Sequence, residues 1–353
     1  MLWFMLINHS ILSRAQVAKL NINDIALIAG VSNATVSRAF REPQKVSQKT
    51  RDKVMLAAKN VGFTPSSLGA SLKQGRSYNI VVLVPDITNP YFSPIVRAME
   101  QAANARGYSV LLGDTQDCPD RERSYAKMVK SKQADGIIIN SQRLPLDLDF
   151  EQELLPIVST SELVENDRIY RIGVDNIAIG KLATEHLLAL GHTRIAVVSG
   201  NEPLRSCQDR LLGYKLALAE ANIAFDPALV YYTQYSTATG AKAAEKIVAD
   251  IPNISAIFSF GDLISIGILH VLHKMNYQVP QQVSLISIDD ISLAMYCTPP
   301  LTTVAQPMNT LGELSMNTLI DLIEKKPPER KLTLLAHKLI CRESTGQYKP
   351  YTR

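Results

Sequence analysis

The segment Ser32-Asn33-Ala34-Thr35-Val36-Ser37-Arg38 gathers side chains that suit hydrogen bonding to the edges of base pairs. Arginine holds O6 and N7 of guanine in bidentate fashion, asparagine does the same for N6 and N7 of adenine, and a small alanine permits close approach or touches a thymine methyl. If Val36 and Ala39 face inward on a helix, then Asn33, Ala34 and Arg38 lie on the outward face near its start. Ser32, Thr35 and Ser37, with the free N–H groups of the helix start, suit phosphates, which set register and carry little sequence information. A second pair of interest is Leu68 and Leu72, one helical turn apart. Copies of this pair from two subunits could push a leucine between base steps in a minor groove.

The flanking punctuation says what positions the first group. Asp24 heads a first helix with an apolar stripe of Ile25, Ile28 and Ala29, and Gly30 ends it in a tight turn. A second helix starts at once, with Ser32 as its N-cap and Val31 and Val36 at the spacing of a hydrophobic staple. After Pro43 a third helix, capped by Ser47, runs from Gln48 to Val61. Its residues Val54, Ala57, Ala58 and Val61 close a three-helix core, and Gly62 stops it. A small amphipathic bundle that binds nothing is the open alternative. The following stretch 65–75 (PSSLGASLKQG) is too rich in Ser and Gly for a helix stable alone, which predicts a linker that becomes helical only when docked. A flexible tether without any DNA contact is the alternative there.

Charge follows the same division. Residues 1–76 hold 11 Lys/Arg against 3 Asp/Glu, and the remaining chain holds 26 against 30, within a total of +4. A basic front end on a mildly acidic body reads as a polyanion-binding module joined to a part with another partner, although a merely solvated basic surface has the same composition. The apolar start Met1–Ile7 (MLWFMLI) is far shorter than the ~20 residues needed to span a bilayer. It also lacks the basic flank and cleavage site of a secretory signal, so residues 1–20 read as an unstructured leader with no membrane role. Cysteines 118, 207, 297 and 341 are too dispersed for a metal knuckle or a disulfide scaffold, and a reducing cytoplasm is the expected location.

From Tyr78 onward, apolar runs alternate with helix-length segments. Strands are expected at 79–86, 109–115, 136–141, 156–160, 194–200, 255–260 and 283–290. Continuous apolar strands are those of a parallel sheet covered by helices on both faces, and their number predicts two α/β lobes with a ligand cleft at the strand carboxyl ends. No dinucleotide, Walker, nucleophile-elbow or zinc-protease motif occurs, so the sequence does not read as an enzyme and implies neither cofactor nor metal. His270 and His273 lack an acidic third ligand and read as a helix face. His192 reads as a capping or turn residue.

The stretches DIALIAGVSNATVSRAF, KVSQKTRDKV, GFTPSSLGASLK, VPDITNPYFSPIVRAMEQAANARGY, LGHTRIAVVSG, VSLISIDD and TPPLTTVAQP together resemble the LacI-type family of bacterial transcription repressors. The segments around GDTQDCPDRERSYAKMVKSKQADGIIINSQRLPLD and CTPPLTTVAQP are most similar to its cytidine-responsive branch. The resemblance implies a small all-α helix-turn-helix head and a two-lobed α/β body like that of periplasmic binding proteins. The implied divisions are a leader 1–20, a head 21–64, a hinge 65–77, a body 78–345 and a tail 346–353, with lobe crossovers near 175, 306 and 328. It further implies a homodimer on palindromic operator DNA, with Asn33, Ala34 and Arg38 as base readers and Leu72 as the wedge. Tyr91, Phe92, Ser206, Arg210, Tyr235 and Asp289 are the implied effector contacts.

Aromatic faces with an Arg and an Asp suit a nucleoside or a sugar, through stacking and charge-assisted hydrogen bonds to hydroxyls. Phe92 as core, or Arg210 paired with Asp209 or Asp289, are the structural alternatives. A regulator of a sugar or purine pathway, or a free-standing solute-binding protein of the same fold, is the competing reading of the whole. Many family members carry Ala-Arg where this chain has Gly69-Ala70, which points to weaker operator binding and to reliance on another DNA-bound regulator. The absence of a leucine-heptad tail after Gly346 favours a dimer.

Overall fold

The computed structural model describes residues 21–63, 75–141, 143–145, 155–200, 204–251 and 254–349, in two compact units that divide between Gly75 and Arg76. The leader and the hinge residues Leu68, Gly69, Ala70 and Leu72 lie outside the described residues.

In the first unit, helix α1 spans Ile22–Ala29, α2 spans Asn33–Arg41 and α3 spans Gln48–Asn60. Asn21, and not Asp24, is the N-cap of α1. Asp24 is its third residue and completes a capping box, its Oδ2 accepting from the Asn21 N–H at 2.8 Å. Ser32 and Ser47 cap α2 and α3 as the sequence suggested. The core is built from Ile25, Ala26, Val36, Ala39, Val54 and Ala57. Ile28, expected inside, is 54% exposed, because α2 and α3 both pack on the side of α1 that carries Ile25 and Ala26.

The second unit holds two six-stranded sheets. Strands β1 (Asn79–Val84), β2 (Ser109–Asp114), β3 (Gly136–Ile139), β4 (Ile157–Thr160) and β5 (Tyr170–Val174) belong to the first. With β11 (Leu332–Leu335) the order is β11-β5-β4-β3-β1-β2. The second comprises β6 (Ile195–Ser199), β7 (Val230–Tyr232), β8 (Ala256–Ser259), β9 (Ser284–Asp289), β10 (Thr302–Ala305) and β12 (Lys338–Ile340), ordered β12-β10-β9-β8-β6-β7. All pairings are parallel except β10 with β12.

The helices that matter for the site are α4 (Phe92–Ala105) and α5 (Pro119–Lys130) in the first lobe and α6 (Asn176–Ala189), α7 (Arg205–Glu220), α8 (Thr237–Asp250) and α9 (Asp262–Lys274) in the second. Helix α10 (Met308–Ile323) returns to the first lobe and packs on α4, β3 and β4. The chain therefore crosses between lobes after β5, after β10 and after β11. The third crossing falls at residues 336–337, later than the expected 328, because residues 332–335 still pair with β5.

Close helix packing is set by two glycines. A Cβ on Gly180 of α6 would sit 2.1 Å from the Arg210 carbonyl oxygen, and one on Gly213 of α7 would sit 2.1 Å from that of Ile177. His192 follows the turn after α6, where its N–H donates to the Leu187 carbonyl at 3.1 Å, and its side chain is buried. Its Nε2 lies 3.0 Å from the Gly346 carbonyl, and the Tyr348 N–H donates to Leu190 O at 2.8 Å, so residues past 345 pack on the second lobe. His270 and His273 are exposed on α9. Among the described residues no helix is long and apolar enough to cross a membrane.

Candidate functional site

Helix α2 presents Asn33, Ala34 and Arg38 to solvent, while Val36 and Ala39 are fully buried. Ser32 Oγ accepts from the Thr35 N–H at 3.2 Å and lies 2.9 Å from Thr35 Oγ1, which ties both hydroxyls to the helix start. Thr35 and Ser37 are half-buried beside the exposed trio. The Asn33 side-chain amide donates to Asn23 Oδ1 on α1, a neighbour that sequence reasoning missed. Glu42 is closed on Lys45 at 2.8 Å, which holds its carboxyl below the usual range; Arg38 contributes less.

In the second unit, a cavity of about 650 Å³ opens between the lobes. Tyr91, Phe92, Ser206, Arg210, Tyr235 and Asp289 all line it. Most are delivered by an element end, and Arg210 comes from the second turn of α7. Tyr91 precedes α4, and its hydroxyl lies 3.1 Å from Gln306 Oε1 and 3.2 Å from Ser161 Oγ. Burial pushes that phenol well above its ordinary value. Phe92 packs edge-on to Tyr91 with ring centroids 5.0 Å apart and also belongs to the first lobe's core, so it is both wall and core.

Arg210 is buried on α7. Its Nε donates to Asn176 Oδ1 at 2.9 Å, and its Nη1 donates to the Phe260 carbonyl at 2.7 Å and to the Tyr235 hydroxyl at 3.2 Å. Asp209, a candidate partner from sequence, pairs instead with Arg205 at 2.8 Å. The Tyr235 ring occupies a slot that two glycines leave open, since a Cβ on Gly200 would come within 2.3 Å of it and one on Gly261 within 3.0 Å. Its hydroxyl is 3.2 Å from Cys207 Sγ, and burial raises the phenol strongly.

Asp289 ends β9 with φ at +112°, a backbone conformation an L-residue adopts only under constraint from its surroundings. Gln306 supplies part of that constraint, donating from Nε2 to Asp289 Oδ1 at 2.7 Å. Burial, then the neighbouring Asp262, pushes the Asp289 carboxyl up to about 8. Asp262 is itself raised to about 6 by burial, and it accepts from the Ile291 N–H at 2.8 Å and Thr303 Oγ1 at 3.0 Å, bracing the turn after Asp289.

Sequence reasoning missed Asn140, Glu162, Gln306 and Asn176. Asn140 and Gln306 follow the carboxyl ends of β3 and β10, where ligands gather in such sheets, so that rule applied strand by strand would have found them. Glu162 and Asn176 lie two residues past the ends of β4 and β5, so the same rule reaches their positions, but their bonds to α7 are visible only in the fold.

The family profile described as "Bacterial regulatory proteins, lacI family" matches residues 21–66, and that of the "Periplasmic binding protein-like domain" matches residues 184–345. The HTH-type transcriptional repressor CytR of Escherichia coli K12 is 35% identical over 336 residues, spanning 94% of this chain and 98% of that protein. The chain belongs to the LacI family of bacterial regulatory proteins.

The ribose operon repressor of Halalkalibacterium halodurans is 34% identical over 92% of this LacI-family chain and 96% of its own. In fold, the lac repressor dimer bound to operator and the anti-inducer ONPF superposes with a TM-score of 0.82, at 24% identity over 93% of this chain and 99% of that one. The protein is accordingly a LacI-family transcriptional repressor with an effector-binding domain, and these relatives are named as repressors and not as enzymes.

Proposed function

We propose that this repressor binds a palindromic operator as a homodimer and that a nucleoside such as cytidine, held in the interlobe cleft, controls its grip on the DNA. Asn33, Ala34 and Arg38 read base edges; Ser32, Thr35 and Ser37 hold phosphates; Leu68 and Leu72 enter the minor groove at the centre of the site. The exposure of the base-reading trio over a buried Val36 and Ala39 supports the first assignment. Exposed Leu293, Met295 and Tyr296 offer the second lobe an apolar surface for a partner copy. The repressor acts on its operator in the cytoplasm, with a second DNA-bound regulator compensating for the Gly69-Ala70 hinge.

One observation carries the effector reading: two hydrogen-bonded pairs, Arg210 with Tyr235 and Asp289 with Gln306, line the same cleft as the rings of Tyr91 and Phe92. Hydroxyls pair with the Arg and Asp while a flat ring packs on Phe92 or Tyr235. The likeness to a ribose operon repressor favours a pentose within that ligand. Effector binding changes the angle between the lobes and so the cost of ordering paired hinge segments on DNA. Gel retardation with a palindromic operator, with and without nucleosides, tests the reading. Retention of the complex at low salt and its response to cytidine are expected; failure to bind at low salt overturns the operator assignment, and release only by non-nucleosides overturns the effector class.

A further inference from the structure

We propose that the cleft selects an uncharged effector and excludes its phosphate ester, with Glu162 as the residue that enforces the choice. This rests on the reading of the cleft as the effector site and adds the charge class of the ligand. Glu162 lies just after β4 in the first lobe and is 9% exposed. Its Oε1 accepts from the N–H of Ser206, in the first turn of α7 on the second lobe, at 2.9 Å. The residue preceding α7, Leu204, supplies no side-chain cap. Glu162 therefore caps a sixteen-residue helix from across the cleft. That helix start, with its free N–H groups and positive dipole end, is where the cleft would otherwise stabilise a phosphate.

The two arginines of the cleft lining are already partly committed. Arg210 has Nε and Nη1 committed to Asn176, Phe260 and Tyr235. Arg143 donates to the Asp117 carbonyl at 3.3 Å and shares the cleft lining with the carboxyls of Asp86 and Asp117. A phosphate entering here meets like charge in a partly desolvated space, which costs enough to change affinity by orders of magnitude. A neutral ligand, by contrast, has a donor waiting. Asn140 is 7% exposed, lines the cleft, and its Nδ2 has no acceptor among the described residues. A ring nitrogen, carbonyl or hydroxyl of an uncharged ligand satisfies it.

The test measures binding to the full-length protein by calorimetry for two pairs, cytidine against cytidine 5′-monophosphate and ribose against ribose 5-phosphate. In the wild type the phosphorylated member of the pair that binds is expected to be at least about a hundredfold weaker. Glu162→Gln keeps an oxygen for the Ser206 N–H but removes the charge, and should shrink the ratio of the two dissociation constants by about tenfold or more. Wild-type binding of a phosphate ester within tenfold of its parent overturns the proposal without any variant, as does a ratio that Glu162→Gln leaves unchanged. Should neither cytidine nor ribose bind, the effector assignment falls, and inorganic phosphate decides the Glu162 claim alone. A rise in the melting temperature of Glu162→Gln but not of the wild type supports it, and equal behaviour overturns it.

Discussion

Replacing Asp289 by Asn removes the most perturbed carboxyl in the cleft while keeping an oxygen for Gln306 Nε2, which donates to Asp289 Oδ1 at 2.7 Å. Burial raises Asp289 from 3.8 to about 8. Between those values the unfolded chain has released this proton and the folded chain has kept it. Stability from Asp289 is therefore greatest at low pH and is lost as pH rises through the window from about 4 to about 8. At about 1.4 kcal/mol for each unit, raising the pH from 5.5 to 8 should cost the wild type on the order of 3 kcal/mol through this residue alone. Asn has no proton to lose, so the stability of Asp289→Asn relative to the wild type should rise by that amount over the same interval. Groups away from this pair act on both proteins and cancel in the difference, whereas Asp262, whose charge helps raise Asp289, titrates with it and is part of the change. Urea unfolding followed by circular dichroism at the two pH values measures it. A difference that stays constant within about 1 kcal/mol would refute the protonated, buried state of Asp289 from which the number comes.

Arg38→Ala should cost about 1–3 kcal/mol of operator affinity, concentrated at one base pair, whereas Ser37→Ala should weaken all sequences alike. Fluorescence anisotropy with single-base-pair operator variants separates the two patterns. Gly213→Ala places a methyl 2.1 Å from the Ile177 carbonyl, so α6 and α7 must part, and a loss of about 1–3 kcal/mol should appear as a lower melting temperature in calorimetry. Gly200→Ala drives a methyl to within 2.3 Å of the Tyr235 ring and should weaken effector binding about tenfold or more through displacement of that ring, read by titration calorimetry with cytidine.

Local rules reached the head almost completely because its signals are local. Ser32 and Ser47 cap the helices they were expected to cap, and Val36 and Val54 are buried, each following from spacing within a few residues. Ile28 escaped because its exposure depends on where α2 and α3 lie, which no window along α1 contains. In the body, long apolar runs gave β1, β3, β6, β8 and β9. By contrast β5, β7, β11 and β12 all lie at or next to a sheet edge and are only partly buried, so continuous apolar runs do not mark them. The cleft residues implied by resemblance do converge in space. Glu162, Asn176 and Gln306 act on partners 44, 34 and 17 residues away, so their places near strand ends are legible in the sequence but the partners they hold are not.

The position of Gln306 bears on how a small molecule in the cleft could alter a DNA-binding head. Gln306 stands at the second crossing and touches both lobes at once, Tyr91 Oη in the first at 3.1 Å and Asp289 Oδ1 in the second at 2.7 Å. Immediately after it begins α10, whose sixteen residues extend about 24 Å at the standard helical rise. At the far end of that helix, the Ile323 carbonyl accepts from Nη2 of Arg76 at 3.1 Å, and Arg76 is the first residue of the body after the linker. Asp135 fixes the next two residues by accepting from the Ser77 N–H at 2.7 Å and the Tyr78 N–H at 2.8 Å. A ligand can shift an equilibrium only by binding one state better than the other. One that takes over Asp289 or Tyr91 from Gln306 makes that difference at the near end of a stiff rod, and the far end of the rod holds the point where the linker leaves the body.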